Sequence, residues 1–371
     1  KVSENDPILI IFTTGSTGLP KPAMLTNLGI TCQNLCLAKG LEAELDDRMV
    51  VNLPPSHVGG TTEQLMTPLF KGGTAIVLHI FDGAKTLDAI QKHKATIMGQ
   101  IPALFVMEWN LPNYNDYDLS SLKFAIAAGQ PVDRPFLERV STMAPKLFTG
   151  LGLTECSGFC TYTPTNLTLD QFVGTLGFDF PIYPMSIRKA INEDGNAGDE
   201  LPDGEIGEIC FKGPQTFIGY FGNEEATRKT LTKDGWLYTG DLGHVDDKGL
   251  HMSGRRKFLI KPKGYQVFPP EVEAFIAEIP QVEFVGVIGA KHNIFTEGIV
   301  AYIKTKIGEV LTVEEVIEHC KGMAAYKRPS LIVFLDEFPL NRVAKTDYIS
   351  LTDRVEKDIE QARLNGGWDA S

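Results

Sequence analysis

No uninterrupted apolar run in the chain approaches the roughly 18 to 20 residues needed to cross a bilayer. Apolar stretches such as residues 8–12 and 75–78 are strand-sized, so a membrane span is excluded. Cysteine is sparse, with six in 371 residues, and no charged-then-apolar leader precedes them. This combination predicts a reducing, cytoplasmic setting. Basic residues are also short: 35 Lys and Arg against 47 Asp and Glu leave a formal charge of −12 with no compensating basic patch. That balance argues against nucleic acid as the main partner. The pairs Cys32/Cys36 and Cys156/Cys160 have helical spacing, but no His or Cys group completes a four-ligand set, so a zinc site is rejected. Internal repeats and low-complexity tracts are absent. Since the chain begins with Lys1 rather than Met, it reads as a portion of a longer or processed protein, and its missing targeting signal says little.

What is present is an ordinary globular balance of 43% hydrophobic and 22% charged residues, over a length that predicts two or three domains. Short β-branched runs at 8–12, 49–53, 75–78 and 124–127 alternate with helical patterns near Gly or Pro. The expectation is a layered α/β domain over residues 1–256. Within it, the Gly, Asp and Pro turns of residues 173–254 predict a β-rich subdomain, and residues 257–371 read as a small α+β domain.

The sharpest local feature runs Phe12-Thr13-Thr14-Gly15-Ser16-Thr17-Gly18-Leu19-Pro20-Lys21. Glycines let backbone N–H groups converge on an anion, hydroxyls donate further bonds, and lysine adds a point charge. The segment reads as a phosphate cradle, although the Walker spacing is not met; a polar surface loop is the plainer alternative. Four further motifs follow in order: Gly150-Leu151-Gly152-Leu153-Thr154-Glu155, then Tyr238-Thr239-Gly240-Asp241-Leu242-Gly243, then the basic stretch 254–266, and last Pro339-Leu340-Asn341-Arg342-Val343-Ala344-Lys345. On chemistry alone, Thr154-Glu155 could begin a helix and Asp241 could cap its own turn. Lys345 and Lys263 would be solvated cations.

Together these motifs resemble the adenylate-forming superfamily of acyl-CoA synthetases, luciferases and peptide-synthetase adenylation domains, over essentially the whole chain. The resemblance implies an enzyme that joins a small-molecule carboxylic acid to AMP and then to the thiol of coenzyme A, using ATP and Mg²⁺. Thr13, Thr14, Gly15, Ser16, Thr17, Gly18 and Lys21 would cradle the phosphates. Gly129, Gln130, Gly150, Leu151 and Gly152 would border the adenine. Thr154 would touch the α-phosphate and Glu155 would hold Mg²⁺. Asp241 and Arg255 would take the ribose, and Lys261 and Gln266 the AMP. Lys263 and Gly264 would approach CoA, and His57 would line the acyl pocket. Lys345 would stabilise negative charge as pyrophosphate leaves, and Lys257 would be the hinge of a mobile C-terminal lid.

The stretch 261–266 is most similar to 4-coumarate and other acyl- or aryl-CoA ligases, and Lys257 stands where peptide-synthetase domains usually carry aspartate. Departures from the pattern are Pro22 and Ala344 in place of glycines, Leu151 in place of an aromatic residue, and Phe258 at an often acidic position. Losing the aromatic ring would weaken ATP binding by about 1 kcal/mol. Family members carry a substantial region ahead of the phosphate loop. The chain is therefore expected either to belong to a longer parent or to cover the exposed apolar surface by forming a homo-oligomer. Transfer to a carrier-protein thiol or an amine, and a non-catalytic binding relative, remain as alternatives. The identity of the acid is not legible.

Overall fold

The computed structural model describes residues 1–13, 20–130, 132–340, 346–364 and 367–368. The chain divides into two compact units, one of Lys1–Thr239 with Gly243–Met252, the other of Gly240–Leu242 with Ser253–Ser371. No helix among the described residues is long and apolar enough to cross a membrane.

The first unit is built on a five-stranded parallel sheet in the order Thr74–Val77, Arg48–Val51, Ile97–Gln100, Phe124–Ala127, Lys146–Phe148. Its central strands are mostly apolar because both faces are covered, with Arg48 and Gln100 at strand ends. Val50, Met98, Ala125 and Ala127 pack under Leu87, Ile90, Phe105 and Trp109. On the other face Met49, Ile97, Phe124 and Ile126 meet Leu37, Phe148, Phe159 and Tyr162. Met98, Phe159 and Tyr162 thus belong to the core. The helix Gly83–His93 shows how local sequence sets the boundaries. Asp82 caps its start by accepting from Lys85 N at 3.0 Å, and Lys94, in the left-handed region at φ 50°, ends it.

One sequence expectation shifts. The run at residues 8–12 lies outside the layered sheet, in an antiparallel hairpin of Pro7–Thr13 with Lys21–Thr26. Alternate residues Ile8, Ile10 and Phe12 of its first strand are exposed. The anticipated β-rich segment contains a four-stranded sheet in the order Met185–Arg188, Gly207–Phe211, Leu237–Asp246, Gly249–Arg255.

The second unit carries a three-stranded sheet. Val282–His292 pairs antiparallel with Thr296–Thr305, which pairs parallel with Leu331–Phe334. Apolar clusters sit on both faces. One gathers Val272, Ile276, Val287, Ile299 and Val316, and the other Ile288, Val300, Tyr302, Leu351, Val355 and Trp368. The helix Pro269–Ala277 begins on its two prolines, where a missing N–H costs nothing.

Candidate active site

A parallel sheet delivers the carboxyl ends of its strands to one edge, where the following loops can converge on a ligand. Three of the sequence motifs emerge there. The strand Arg48–Val51 leads to His57, Phe124–Ala127 to Gly129 and Gln130, and Lys146–Phe148 to the segment from Gly150 to Glu155.

His57 is exposed, and its Nδ1 accepts from Gly59 N at 2.9 Å, which leaves the proton of the neutral ring on Nε2. A π-helix, Gly59–Met66, follows. Its glycines and threonines are weak helix formers, so side chains hold it. Thr62 Oγ1 donates to Val58 O at 2.9 Å, and a Cβ on Gly60 would meet Pro54 O at 2.3 Å. Gln64 ties the helix to the sheet, accepting from Asn52 N and Leu53 N, each at 3.0 Å. The polar chain continues from Asn52 Nδ2 to Gln100 Oε1 at 2.7 Å and from Gln100 Nε2 to Glu108 Oε2 at 2.8 Å. Gly129 adopts φ 89°, which only glycine takes readily.

Gly150 is forced by packing, since a Cβ there would stand 1.9 Å from Thr161 O. The Leu151 side chain is buried in the core rather than offered to a ring. Gly152–Leu153 pairs antiparallel with Gly158–Phe159, and Thr154, Glu155 and Cys156 form the turn between them. Thr154 is buried. Cys156 is fully buried beside the Tyr183 hydroxyl at 3.4 Å.

The hairpin brings a further part of the site to Glu155. Thr13 pairs with Lys21 at its neck. Lys21 Nζ stands 5.2 Å from the centre of the Tyr220 ring, and the Tyr220 hydroxyl donates to Glu155 Oε1 at 2.6 Å. Burial, then the Glu155 charge, raise the Tyr220 pKa, so the phenol keeps its proton. A backbone strap fixes this arrangement. Phe217 N donates to Glu155 O at 2.8 Å, Met24 N to Gly219 O at 3.0 Å and Phe221 N to Pro22 O at 2.8 Å. Pro22, a departure from the resembled pattern, serves here through its carbonyl alone. Tyr220 was missed by sequence reasoning because a single tyrosine 65 residues from its partner carries no spacing signal. Thr14, Gly15, Ser16, Thr17 and Gly18 lie outside the described residues.

In the second unit, Arg255 Nε meets the buried carboxylate of Asp241 at 3.1 Å. Residues 261–266 form an exposed loop closed by Ile260 and Val267, which exchange backbone hydrogen bonds at 3.0 and 2.9 Å. It presents Lys261, Lys263, Gly264 and Gln266 together. Lys263 is left-handed at φ 53°, with its Nζ 3.8 Å from the Phe295 ring centre, and nothing lies within 4 Å of a Cβ built on Gly264. Lys257 sits in the turn Arg256–Phe258, its Nζ 4.3 Å from the Phe258 ring centre. Lys345 lies outside the described residues, but the neck of its loop is defined by the bridge of Leu340 with Thr346 and by Asp347 N donating to Pro339 O at 3.0 Å.

Comparison with known proteins matches residues 1–221 to the AMP-binding enzyme family and residues 271–345 to the AMP-binding enzyme C-terminal domain. Indoleacetate–CoA ligase of Aromatoleum aromaticum is 32% identical over 360 residues, covering 95% of this chain and 69% of that protein. 4-Coumarate–CoA ligase 2 of Nicotiana tabacum is 31% identical over 347 residues, covering 91% of this chain and 64% of that protein. Among solved structures, o-succinylbenzoate coenzyme A synthetase of Bacillus subtilis in complex with ATP and magnesium ion superposes with a TM-score of 0.81. It shares 26% identity over 93% of this chain and 69% of its own. The chain spans between 59% and 69% of the lengths of the curated relatives it matches.

Proposed function

Because the chain belongs to the AMP-binding enzyme family, we propose that it activates a carboxylic acid with ATP and passes the acyl group to the thiol of coenzyme A, as an AMP-forming acid–thiol ligase. The observation that carries this reading is the convergence of His57, Gly129, Gln130 and the segment from Gly150 to Glu155 at the carboxyl edge of the parallel sheet. Tyr220 joins Lys21 to Glu155 in the same unit. Relatives named as CoA ligases, and a neighbour solved with ATP and magnesium ion, support it.

A carboxylate oxygen of the acid attacks the α-phosphorus of ATP, and the bond from that phosphorus to pyrophosphate breaks. The thiolate of coenzyme A then attacks the acyl carbon, and the carbon–oxygen bond to AMP breaks. ATP enters as its magnesium complex. Magnesium takes one or two carboxylates together with phosphate oxygens, which a site offering Glu155 fits. Thr154 would touch the α-phosphate, with Thr13, the residues from Thr14 to Gly18, and Lys21 around the phosphates. Gly129, Gln130, Gly150, Leu151 and Gly152 would border the adenine, Leu151 through its backbone since its side chain is buried in the core. Asp241, held by Arg255, would take the ribose hydroxyls. Lys261 and Gln266 would contact AMP, and Lys263 and Gly264 coenzyme A. His57 would face the reacting carboxylate with its Nε2. In this reading residues 257–371 act as a lid that turns about Lys257 between the two steps, serving two chemistries with one site.

The test is pyrophosphate release from ATP and Mg²⁺ across aryl, short, medium and long acids, with and without coenzyme A. Acid-dependent release, with AMP and thioester accumulating only when coenzyme A is present, is the expected result. Thioester on a carrier protein instead would move the acceptor, and no release with any acid would remove the ligase reading. Tyr220→Phe should raise the Mg²⁺ concentration needed for half-maximal activity about tenfold, the scale of one hydrogen bond to a charged group. An unchanged Mg²⁺ titration would detach Tyr220 from the site.

A further inference from the structure

One carboxyl group in the first unit is used by none of these steps. Glu63, on the π-helix, directs its Oε1 to within 2.9 Å of where a Cβ on Gly158 would sit and 3.5 Å of one on Gly152. Its Oε2 stands 3.6 Å from a Cβ position on Gly59, and His57 Nδ1 lies 3.0 Å from that same point. Glycines at these three places leave room for the Glu63 carboxyl group itself, which lies between His57 on one side and the paired strands Gly152–Leu153 and Gly158–Phe159 on the other. Gln33 Nε2 lies 3.0 Å from the Gly158 position, fully buried and without a hydrogen-bond partner among the described residues. A second polar atom near Glu63 is thus left unanswered. Among the described residues no basic side chain is paired with Glu63. Burial pushes its pKa up to about 8, opposed only by the Phe159 N–H. The side chain nevertheless remains partly open to solvent.

We propose that Glu63 is a specificity-determining residue for the acid, accepting a hydrogen bond from a hydroxyl or amine carried on the acyl part near the carboxylate. The proposal rests on the ligase reading and names its substrate class. A hydrocarbon acid packed against its open side would strip water from Glu63 and return nothing, whereas a donor-bearing acid satisfies it. A site built to hydrogen-bond a substrate group discriminates strongly against the analogue that lacks it, so a preference of at least about tenfold in kcat/KM is expected.

The experiment compares butanoate, hexanoate and benzoate with their 3-hydroxy and 3-amino counterparts. Pyrophosphate release is measured beside calorimetric binding of each acid and of ATP. Wild-type protein should favour a substituted acid over its plain partner, and Glu63→Leu should erase or invert that preference while ATP affinity stays unchanged. Glu63→Gln, nearly isosteric and so insensitive to folding losses, separates the two donors. It should retain the hydroxy acids but lose the amino acids, whose ammonium group would draw the proton off Glu63 and pair with the carboxylate, which glutamine cannot offer. Equal preference across each matched set in wild-type protein, or a preference unmoved by both variants, overturns the proposal while leaving the ligase intact. Selective acid binding lost in Glu63→Leu, with no pyrophosphate released by any form, would uphold the specificity role and overturn the ligase.

Discussion

Lys345→Ala should lower acid-dependent pyrophosphate release by about 10²- to 10³-fold, the usual loss when one preorganised donor to a developing charge is removed, while the Kd for ATP stays within about twofold of wild type. The asymmetry follows from when the charge appears. On the proposed reading ATP would enter with its phosphates already met by magnesium and the cradle, and a lysine acting on the departing pyrophosphate would contribute only as the new charge develops. Lys345 lies outside the described residues, and the segment that carries it is bounded by defined contacts. Its ends are pinned by the bridge of Leu340 with Thr346 and by Asp347, whose carboxylate accepts from Ser350 Oγ at 2.8 Å. Behind them the Tyr348 hydroxyl donates to Glu273 at 2.7 Å, and Glu273 also accepts from Val287 N at 2.8 Å. Thioester formation from supplied acyl-adenylate should survive in Lys345→Ala. An equal fall in that half-reaction or in ATP affinity would place the lysine in general binding instead.

The second large effect is on stability and concerns Glu108. This carboxyl is buried, accepts only from Gln100 on Oε2, and its Oε1 has no partner among the described residues. Burial raises its pKa from 4.5 to about 8, with the Gln100 bond opposing. The folded state therefore holds a proton that the unfolded chain has released. Its contribution is full below the unfolded pKa of 4.5 and is lost as pH rises through about 8. Glu108→Gln keeps the shape without the titration. Denaturation of the first unit should show the variant more stable than wild type by roughly 3 kcal/mol at pH 8.5, with little difference at pH 5. A difference independent of pH would mean that Glu108 is already ionised in the fold.

The elements that were legible in sequence are those where backbone geometry and composition coincide. Gly150 can be read because no side chain fits against Thr161 O, and Gly129 because its φ is positive. The strands at 124–127 and 75–78 are apolar because a doubly covered parallel sheet requires it. The residues at 8–12 carry the same apolar signal, yet they form an antiparallel hairpin, since periodicity does not report which neighbour a strand will pair with. The π-helix was not legible at all: Gly-Gly-Thr-Thr reads as loop until Thr62 and Gln64 find tertiary partners. Glu63 and Tyr220 were hidden for a related reason. The first is one acidic residue among 47, singled out only by its packing against Gly59 of its own helix and against Gly152 and Gly158 of a hairpin about ninety residues away. The second gains meaning only through Glu155.

The strap that joins the hairpin to Glu155 also has a kinetic consequence. Residues Met24, Phe217 and Phe221 donate across it in alternation, so none of these bonds can open without loosening its neighbours. Such a segment exchanges its amide hydrogens as one cooperative unit rather than residue by residue. The two strands of the hairpin and the Glu155 turn should therefore share a single opening equilibrium, so that tightening either by a ligand is expected to slow isotope uptake at the other.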